Sequence, residues 1–522
     1  MLLLSDATVM VQNGNGAGWF RLMSDSTGGY TNGIWTNDIP AMAFPRKFYS
    51  SDILPDGRVF VAGGEHPNAP NNQQQTNAQV FNPLTTNWTV TADAGGVNFS
   101  DSESVILPNG NVLVHPVSSG TNNPNVTMIY NPGLDSWTVG PTKIYAQTEE
   151  SWVKLPDESI LTIGRGTTNS ERYIPSLNLW IKDADVPVKV YTNFETGAAF
   201  LLPNGRAFFL GATGHTALYT ATGTTNMGSW AAGPDIPDGH VADDVPAAMM
   251  VNGRILCAVG GYPLNGGTTG EVWFCEYDYS VGSIGAFALT RSPTNSAIGA
   301  SFHSASYNLS MLDLPDGTVL MSLGASSGQL YVYQPDTSPL TYGKPTIDSV
   351  SWNQDGSLHL TGKLFNGISE GSAFGDDAQE ASNYPIVRLT DVAGNVTYAR
   401  TFNWSSTSVM TSNKVVTTEA TLPASIHDAP GKYSLAVIAN GVASDPATFY
   451  GPVWVDFNFS FPIENGTFSF PYSTLAEGTN AVPSAGTIAL NAGIQPSDST
   501  ETLTISKPMT IISVYGPSTI GH

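Results

Sequence analysis

The sequence predicts an all-β protein, and three observations support that prediction. A motif of the form Leu-Pro-Asp/Asn-Gly returns at intervals of about 50 residues, a period typical of repeat architectures. Alternating apolar and polar residues, the pattern of half-buried strands, follow each copy. Only 12% of the residues are charged, whereas 53 are glycine and 35 are proline. This composition disfavours long amphipathic helices and favours short strands joined by tight turns.

The repeated units predict the architecture of residues 1–343. In each unit an apolar run reaches a turn whose Gly or Asn supplies the positive φ of a tight hairpin, and a β-branched strand returns from it. Four short strands per unit predict a seven-bladed β-propeller of the kelch type, because one blade alone cannot bury both of its faces. The motif copies begin at Leu4, Leu54, Leu107, Leu155, Leu202, Val251 and Leu314. Tryptophans mark one point in successive units at Trp35, Trp88, Trp137, Trp180 and Trp230.

The first unit begins inside its innermost strand, so we expect the ring to close with preceding residues or with another segment. From Lys344 the repeat is lost, and the longer alternating strands of residues 344–452 predict an immunoglobulin-like β-sandwich. Residues 453–522 end in GTIAL and ETLTISKPMTI, which resemble the opening rungs of a parallel β-helix. A β-helix needs about three rungs to bury a core, so this β-rich extension is expected to pack on its neighbours or join a larger assembly.

Charge and cysteine content restrict the function classes. The chain has 43 acidic and 20 basic residues, a formal net charge of −23, which disfavours nucleic acid and anionic membranes as partners. The N-terminus has neither the basic residues of a signal peptide nor the length of a membrane span. A disulfide between Cys257 and Cys275 is feasible if their strands pair directly, and otherwise they are core residues. We expect an extracellular or cell-surface protein whose export signal lies outside this sequence.

A family resemblance emerges from the two-domain layout. A kelch propeller joined to a sandwich with VRLTD, ARTFN and LPASIHDAPGKYSLAVIANGVAS segments resembles the galactose oxidase family of copper radical oxidases. It is more similar to bacterial kelch proteins that share the FNG and AFGDDAQ segments of residues 365–385. The resemblance covers residues 1–450 and implies the fold strongly. In the oxidases, two tyrosines and two histidines hold copper, and one tyrosine is linked to a cysteine.

This sequence departs from the family's copper ligands. Carried over by motif, the cross-linked tyrosine falls on Phe48, and the Tyr-His pair of the last blade falls on Tyr307 and Asn308. The sandwich histidine falls within Arg400–Asn403, where there is no histidine, and neither cysteine stands at the cysteine position. The resemblance therefore implies a member without the copper ligands. A divergent oxidase, with Tyr49 shifted by one register and His303 close to Tyr307, is the remaining alternative.

The residues that enter each innermost strand are the best site candidates. Four consecutive blades place a carboxylate there, and converging like charges raise each other's pKa. These carboxylates are Asp101, Glu149, Glu195, Asp243 and Asp244, with Glu103 and Glu150 nearby. Arg46, Lys47 and Tyr49 are expected on the same rim, where they would orient a sugar or an acidic ligand, or form surface salt bridges.

Three interpretations of the acidic mouth stay open. In the first, the carboxylates only accept backbone N–H bonds and water. In the second, Asp101, Glu149 and Asp244 hold a hard cation such as calcium. In the third, Glu149 and Glu195 act as acid and base on a glycan, with Asp244 and Tyr307 also catalytic. We expect a binding or structural protein for carbohydrate or a surface protein, with a carbohydrate-active hydrolase or lyase as the alternative.

Other candidates are weaker. Asp376 and Asp377 in FGDDAQ would bind calcium or cap a strand where the sandwich meets the propeller. No phosphate-binding loop or CxxC motif occurs. Five scattered histidines do not have the spacing of metal ligands: His66, His115, His215, His240 and His359.

Overall fold

The computed structural model is all-β, with a seven-bladed propeller, a β-sandwich and a β-rich extension, as the sequence predicts. It describes residues 1–14, 16–66, 75–98, 101–116, 125–147, 149–191, 196–261, 270–323, 328–374, 378–493 and 497–521. No helix within these ranges has the length and apolar composition required to cross a membrane.

The first five blades are four-stranded antiparallel meanders in simple sequence order. Blade 1 contains β1 (Leu2–Leu3), β2 (Val9–Gln12), β3 (Trp19–Met23) and β4 (Ile34–Thr36). Blade 2 contains β5 (Ser50–Ile53), β6 (Val59–Ala62), β7 (Ala78–Asn82) and β8 (Asn87–Val90). Blade 3 contains β9 (Ser104–Ile106), β10 (Val112–Val114), β11 (Met128–Asn131) and β12 (Ser136–Val139). Blade 4 contains β13 (Val153–Lys154), β14 (Ile160–Ile163), β15 (Ser170–Ile174) and β16 (Leu179–Lys182). Blade 5 contains β17 (Ala199–Leu201), β18 (Ala207–Leu210), β19 (Thr216–Thr220) and β20 (Ser229–Ala232).

The last two blades depart from this plan. Blade 6 has extra strands that extend its sheet, whereas blade 7 has three strands within the described residues. Blade 6 contains β21 (His240–Val241), β22 (Ala247–Met249), β23 (Ile255–Gly261), β24 (Gly270–Asp278), β25 (Ala286–Leu289) and β28 (Phe302–Ser304), with the hairpin β26 (Arg291–Ser292) and β27 (Asn295–Ile298). Blade 7 contains β29 (Ser310–Asp313), β30 (Val319–Ser322) and β31 (Leu330–Tyr333). Short 3-10 turns span Pro237–Gly239 and Ser306–Asn308.

The motif turns have the conformation that the sequence predicts. Gly57 has φ 79° and donates its N–H to the Leu54 carbonyl at 2.7 Å, which closes the hairpin between β5 and β6. Blade 4 places Glu158 at the same point with φ 69°, so the turn persists without its glycine. The apolar faces of neighbouring blades pack against each other, and the core therefore lies in the wedges between blades.

The cysteines of blade 6 lie directly opposite each other. Cys257 pairs with Cys275 in the register of β23 and β24. Both thiols are buried and unbridged, so they are core residues in this structure.

The sandwich covers the turn end of the propeller. Its order is β32-β33-β38-β37-β36-β39-β40, with β41 also paired to β39. The Trp404 N–H donates to the Pro55 carbonyl at 3.2 Å, and the Thr407 hydroxyl donates to the Leu107 carbonyl at 3.0 Å. The strands are β32 (Thr346–Trp352), β33 (Leu358–Lys363), β34 (Ala373–Phe374), β35 (Ala378–Gln379), β36 (Ile386–Asp391), β37 (Val396–Phe402), β38 (Val415–Thr421), β39 (Lys432–Ala439), β40 (Val442–Ala443) and β41 (Ala447–Tyr450), with helix α1 (Ala424–His427).

Two parts of the sandwich, residues 370–374 and 378–384, lie against the inner strands of the propeller at the turn end. Their hairpin, β34 and β35, contacts the inner strands β17 and β5. Glu380 accepts the N–H groups of Met249 at 3.3 Å and Asp313 at 3.1 Å, on the inner strands of blades 6 and 7. Burial raises the pKa of Glu380 and of Asp313 well above their usual range. Asp376 and Asp377 lie outside the described residues.

The extension contains the predicted parallel strands. The strands β42, β43 and β45 stack in parallel, and β44 pairs in parallel with β46. The Tyr515 N–H donates to the Gln354 carbonyl at 2.7 Å, so the stack packs on the sandwich. The elements are β42 (Val453–Val455), α2 (Leu475–Ala481), β43 (Gly486–Asn491), β44 (Ser497–Ser499), β45 (Met509–Val514) and β46 (Ser518–Ile520).

Candidate functional site

The end of the propeller opposite the sandwich carries the predicted ring of equivalent positions. The Asp101 N–H donates to the Phe48 carbonyl at 3.2 Å, and the Asp244 N–H donates to the Thr196 carbonyl at 3.4 Å. Each bond joins one blade to the next at the entry to its inner strand. Phe48, Asp101 and Asp244 all have φ near +52°, which is ordinary for Asp but rare for a bulky Phe. We call this end the mouth.

The acidic side chains that the structure describes at the mouth do not form a three-ligand metal cluster. Asp101, Glu149, Asp243 and Asp244 are half-buried, and each makes polar or electrostatic contacts. Within the described ranges, no three His, Cys, Asp or Glu side chains are placed to hold a metal ion. The predicted calcium set of Asp101, Glu149 and Asp244 is therefore not brought together. Glu195 lies outside the described residues.

Glu103 and Glu150 differ from the expectation that they lie at the open mouth. Both are buried where blades 3 and 4 meet. Glu103 Oε1 accepts the Glu150 N–H at 2.8 Å, and Glu150 Oε2 accepts the Thr162 hydroxyl at 3.1 Å. Burial raises the pKa of both carboxyls well above the usual range. Their side chains lie in the wedge between blades 3 and 4, and their hydrogen bonds are made to other groups of the protein.

Arg46 and His303 also differ from the expected rim. The Arg46 side chain is fully buried, and it donates to the Gly63 carbonyl and to Asn77 Oδ1, both at 2.6 Å. It therefore ties blade 2 together. His303 is exposed on β28, where its Nδ1 lies 3.2 Å from Glu271 Oε1. His303 does not line the cavity described next.

A cleft of about 1010 Å³ separates blade 1 from blade 7 and opens at the mouth. Three of the predicted residues, Lys47, Tyr49 and Tyr307, line it together with Phe48 and Asn308. These residues form its inner end, next to the propeller axis. No aspartate or glutamate in the described part of the chain lines this cleft. Its outer end is lined by apolar side chains from both blades, Phe20, Leu22, Trp35, Leu320, Leu330 and Val332.

Aromatic rings and one neutralised cation form the inner end. The Phe48 and Tyr307 rings meet edge to face with centroids 6.4 Å apart. Lys47 Nζ lies 4.5 Å from the centre of the Phe48 ring and 2.9 Å from Glu65 Oε2. Phe48 shares its positive φ with Asp101 and Asp244 at the equivalent positions of other blades, and its half-buried ring lines the cleft.

Amide groups supply the polar part of the inner end. The Tyr49 hydroxyl donates to Gln12 Oε1 at 3.0 Å, while Gln12 Nε2 donates to the Arg46 carbonyl at 2.6 Å. Burial raises the pKa of Tyr49, which keeps its hydroxyl protonated as a donor. Asn13, Asn308, Gln329 and Gln334 add further amides to the lining. The cleft thus offers flat rings and neutral hydrogen-bonding groups.

The donor groups at the mouth do not fit the copper site that the resemblance implies. Phe48 has no donor atom, and the Tyr49 hydroxyl is bonded to Gln12. Arg400 lies at the opposite, turn end of blade 2, where its Nη2 donates to the Asp56 carbonyl at 2.6 Å. Tyr307 and Asn308 do face the cleft, but they supply one phenol and one amide.

Comparisons with known proteins give weak similarities. No family model matches the sequence, and no curated protein does. A fungal alcohol oxidase of the AA5 family, in complex with copper, superposes with a TM-score of 0.46 at 13% identity, over 86% of this chain and 97% of its own. A structure of YjhT superposes with a TM-score of 0.39 at 15% identity, over 54% of this chain and 94% of its own. Neither similarity carries an argument about activity, and the propeller is defined by its own strand order.

Sequence reasoning missed the outer half of the cleft. Its lining comes from the second and third strands of blade 7, such as Leu320 and Val332, and from blade 1. One signal was present: no aromatic strand follows LYVY at 330–333 as it follows the third strands of blades 2 to 6.

Proposed function

We propose that this chain is a carbohydrate-binding protein, and that a neutral glycan occupies the inner end of the cleft between blades 1 and 7. The observation that supports the proposal is the chemistry of the lining. Half-buried rings of Phe48, Tyr49 and Tyr307 stand beside neutral amides, without a carboxylate. Apolar and aromatic walls with a few placed polar groups are typical of small-molecule sites. Sugars offer apolar C–H faces to rings and hydroxyls to amides.

The charge of Lys47 does not argue against a neutral ligand. Its ammonium lies 2.9 Å from the Glu65 carboxylate and 4.5 Å from the centre of the Phe48 ring. An acidic ligand would have to compete with Glu65 for this cation. A neutral glycan leaves the ion pair in place and still receives hydrogen bonds from Asn308 and the nearby glutamines.

The hydrolase alternative requires an acid and a base beside the ligand. In glycosidases the two carboxyl groups flank the scissile bond. Among the described members of the proposed catalytic set, Tyr307 lines the cleft, whereas Glu149 and Asp244 do not. Extracellular location and calcium binding stay predictions from the sequence.

Glycan-array screening followed by calorimetry of the best oligosaccharide tests the proposal. We expect Phe48→Ala to weaken binding about tenfold or more, equivalent to about 1.4 kcal/mol. Phe461→Ala, which removes an exposed ring of the extension, is the matched control and should bind normally. Unchanged affinity in Phe48→Ala would contradict the proposed site. If the protein instead releases reducing ends from a glycan, and Glu149→Gln abolishes that release, the hydrolase alternative would be established.

A further inference from the structure

Two glutamates of the sandwich each meet an aspartate of the propeller at the turn end. Glu380 lies against Asp313 of β29, whose N–H donates to Glu380 Oε1 at 3.1 Å. Glu370 and Asp52 of β5 line one small cavity of about 20 Å³ together with Lys154 of β13. The interface between the two domains therefore holds two pairs of carboxyl groups, and each pair has one member from each domain.

These carboxyl groups are withdrawn from solvent. Asp313 and Glu380 are fully buried, Asp52 is 5% exposed, and the side chain of Glu370 is 18% exposed. The cavity beside Glu370 has room for about one water molecule, so bulk water does not screen the charges there. Two ionised carboxylates that face each other in such surroundings repel strongly.

Hydrogen bonds favour a proton on the aspartate of the first pair. Glu380 accepts two backbone N–H groups, from Met249 and Asp313, and these stabilise its ionised form. Asp313 Oδ1 is buried and has no hydrogen-bond partner among the described residues, so ionisation of Asp313 is costly. The charge of Asp316 also disfavours it. Burial raises the pKa of Asp313 and of Glu380 well above the usual range.

The second pair has a cation, which favours the same distribution of protons. Lys154 Nζ forms an ion pair with Glu370 and so stabilises the ionised glutamate. Asp52 accepts the Ser104 hydroxyl at 2.6 Å, and burial raises the pKa of Asp52 to about 7. Glu370 raises this pKa further, and Lys154 lowers it. Among the described residues that line the cavity, Tyr384 is the remaining ionisable group.

We propose that the paired carboxyls form a pH-dependent clasp, in which docking of the sandwich on the propeller requires a proton on each aspartate. Loss of these protons at alkaline pH leaves like charges facing each other, and residues 370–374 and 378–384 then separate from the inner strands. A carboxyl whose pKa is higher in the docked state stabilises docking at low pH. It loses that contribution as pH rises through the docked-state value.

Amide hydrogen exchange followed by mass spectrometry measures the clasp directly, because the Met249 and Asp313 N–H groups donate to Glu380. Dividing the intrinsic rate by the measured rate at each pH gives a protection factor that is corrected for the ordinary pH dependence of exchange. Between about pH 6 and about pH 10, we expect protection of these two amides to fall about tenfold or more. Strand β14 of blade 4 should keep its protection.

A double variant separates the clasp from other effects of alkaline pH. Asp52→Asn combined with Asp313→Asn places a neutral group of similar shape in both pairs, so protection of the Met249 amide should stay constant across the range. Asp93→Asn combined with Asp348→Asn changes two exposed carboxylates and is the matched control. It should lose protection as the native protein does. Circular dichroism verifies folding, and the native titration decides alone if the double variant does not fold.

Three results would overturn the inference. Protection of the native Met249 and Asp313 amides that does not change with pH would show that the clasp does not open. An equal loss in the Asp52 and Asp313 double variant would show that other groups titrate. A loss of the same size in β14 would mean that the whole propeller unfolds, and that the domains do not separate by themselves.

Discussion

The junction between blades 3 and 4 and the junction between blades 7 and 1 are built from the same repeat. They differ in how completely they exclude solvent. At the first junction, Trp180 is 3% exposed and Lys143 Nζ lies 3.9 Å from the centre of its ring. That ammonium also lies 2.9 Å from Glu171 Oε1, with both side chains fully buried. At the second junction the equivalent Trp35 is 45% exposed and borders a cleft of about 1010 Å³.

The difference teaches where a repeat protein can place a site. At the closed junction even ionisable groups such as Glu103 and Glu150 are buried, and Glu103 Oε1 accepts the Glu150 N–H across the two blades. At the open junction, where no strand of the described residues pairs with the outer edge of β31, Phe48, Tyr307 and their neighbours line a cleft. A break in the repeat therefore positions the candidate site better than the identity of any single residue.

The largest expected effect separates the two equivalent tryptophans. Trp180→Ala should lower the free energy of unfolding by about 3–5 kcal/mol, because it leaves a cavity in a closed wedge. Trp35→Ala should cost about 1 kcal/mol or less, since its half-exposed ring loses little burial. Chemical denaturation followed by fluorescence measures both. Equal losses in the free energy of unfolding would show that the two junctions are equally well packed.

An intermediate effect on stability is expected from replacing Asp52, which joins blades 2 and 3. Ser104 donates its hydroxyl to Asp52 at 2.6 Å, and burial raises the pKa of Asp52 to about 7, with Glu370 raising it and Lys154 lowering it. A carboxyl with a raised folded-state pKa stabilises the fold below its unfolded value near 3.8 and loses that contribution as pH rises through 7.

Asp52→Asn should therefore gain stability over the native protein between pH 4 and pH 8, by at most about 4 kcal/mol, the equivalent of three pKa units. Denaturation midpoints measured across this range give the difference. Asp93→Asn, at an exposed loop of blade 2, is the control. Parallel pH profiles for Asp52→Asn and the native protein would mean that Asp52 titrates as it does in the unfolded chain.

The smallest effect is expected at the open junction. Lys47 and Glu65 form an ion pair at 2.9 Å with both side chains partly exposed. Such pairs contribute less than about 1 kcal/mol, so Lys47→Gln should shift the unfolding free energy by no more than that. A loss above about 2 kcal/mol would show that this junction depends on its charges as a buried pair does.

Much of the fold follows from local signals. The turn glycines need a positive φ, and Gly57 and Gly110 have it, so the repeat phase could be found from sequence. The tryptophans at 88 and 137 stand on fourth strands, where their spacing places them. The parallel strands of the extension also match the expectation from GTIAL and ETLTISKPMTI.

The candidate site was harder to predict because it depends on relations between distant segments. Along the chain, Glu103 and Glu150 are close to the residues that form the mouth. Whether such a residue faces the mouth or the space between blades depends on the register of the strands in its blade. Lys47, Tyr49 and Tyr307 were found because the entry to each inner strand is itself part of the repeat.

The position of Glu380 against the inner strands of the propeller has a consequence for the order of assembly. Glu380 accepts N–H groups from Met249 and Asp313, which precede it in the chain by 131 and 67 residues. During synthesis, the inner strands of blades 6 and 7 leave the ribosome before the carboxylate that completes their hydrogen bonds. Closing so long a loop is an entropically costly, late event. The ring is therefore expected to reach its final form only after the sandwich has been made, although the two occupy separate stretches of sequence.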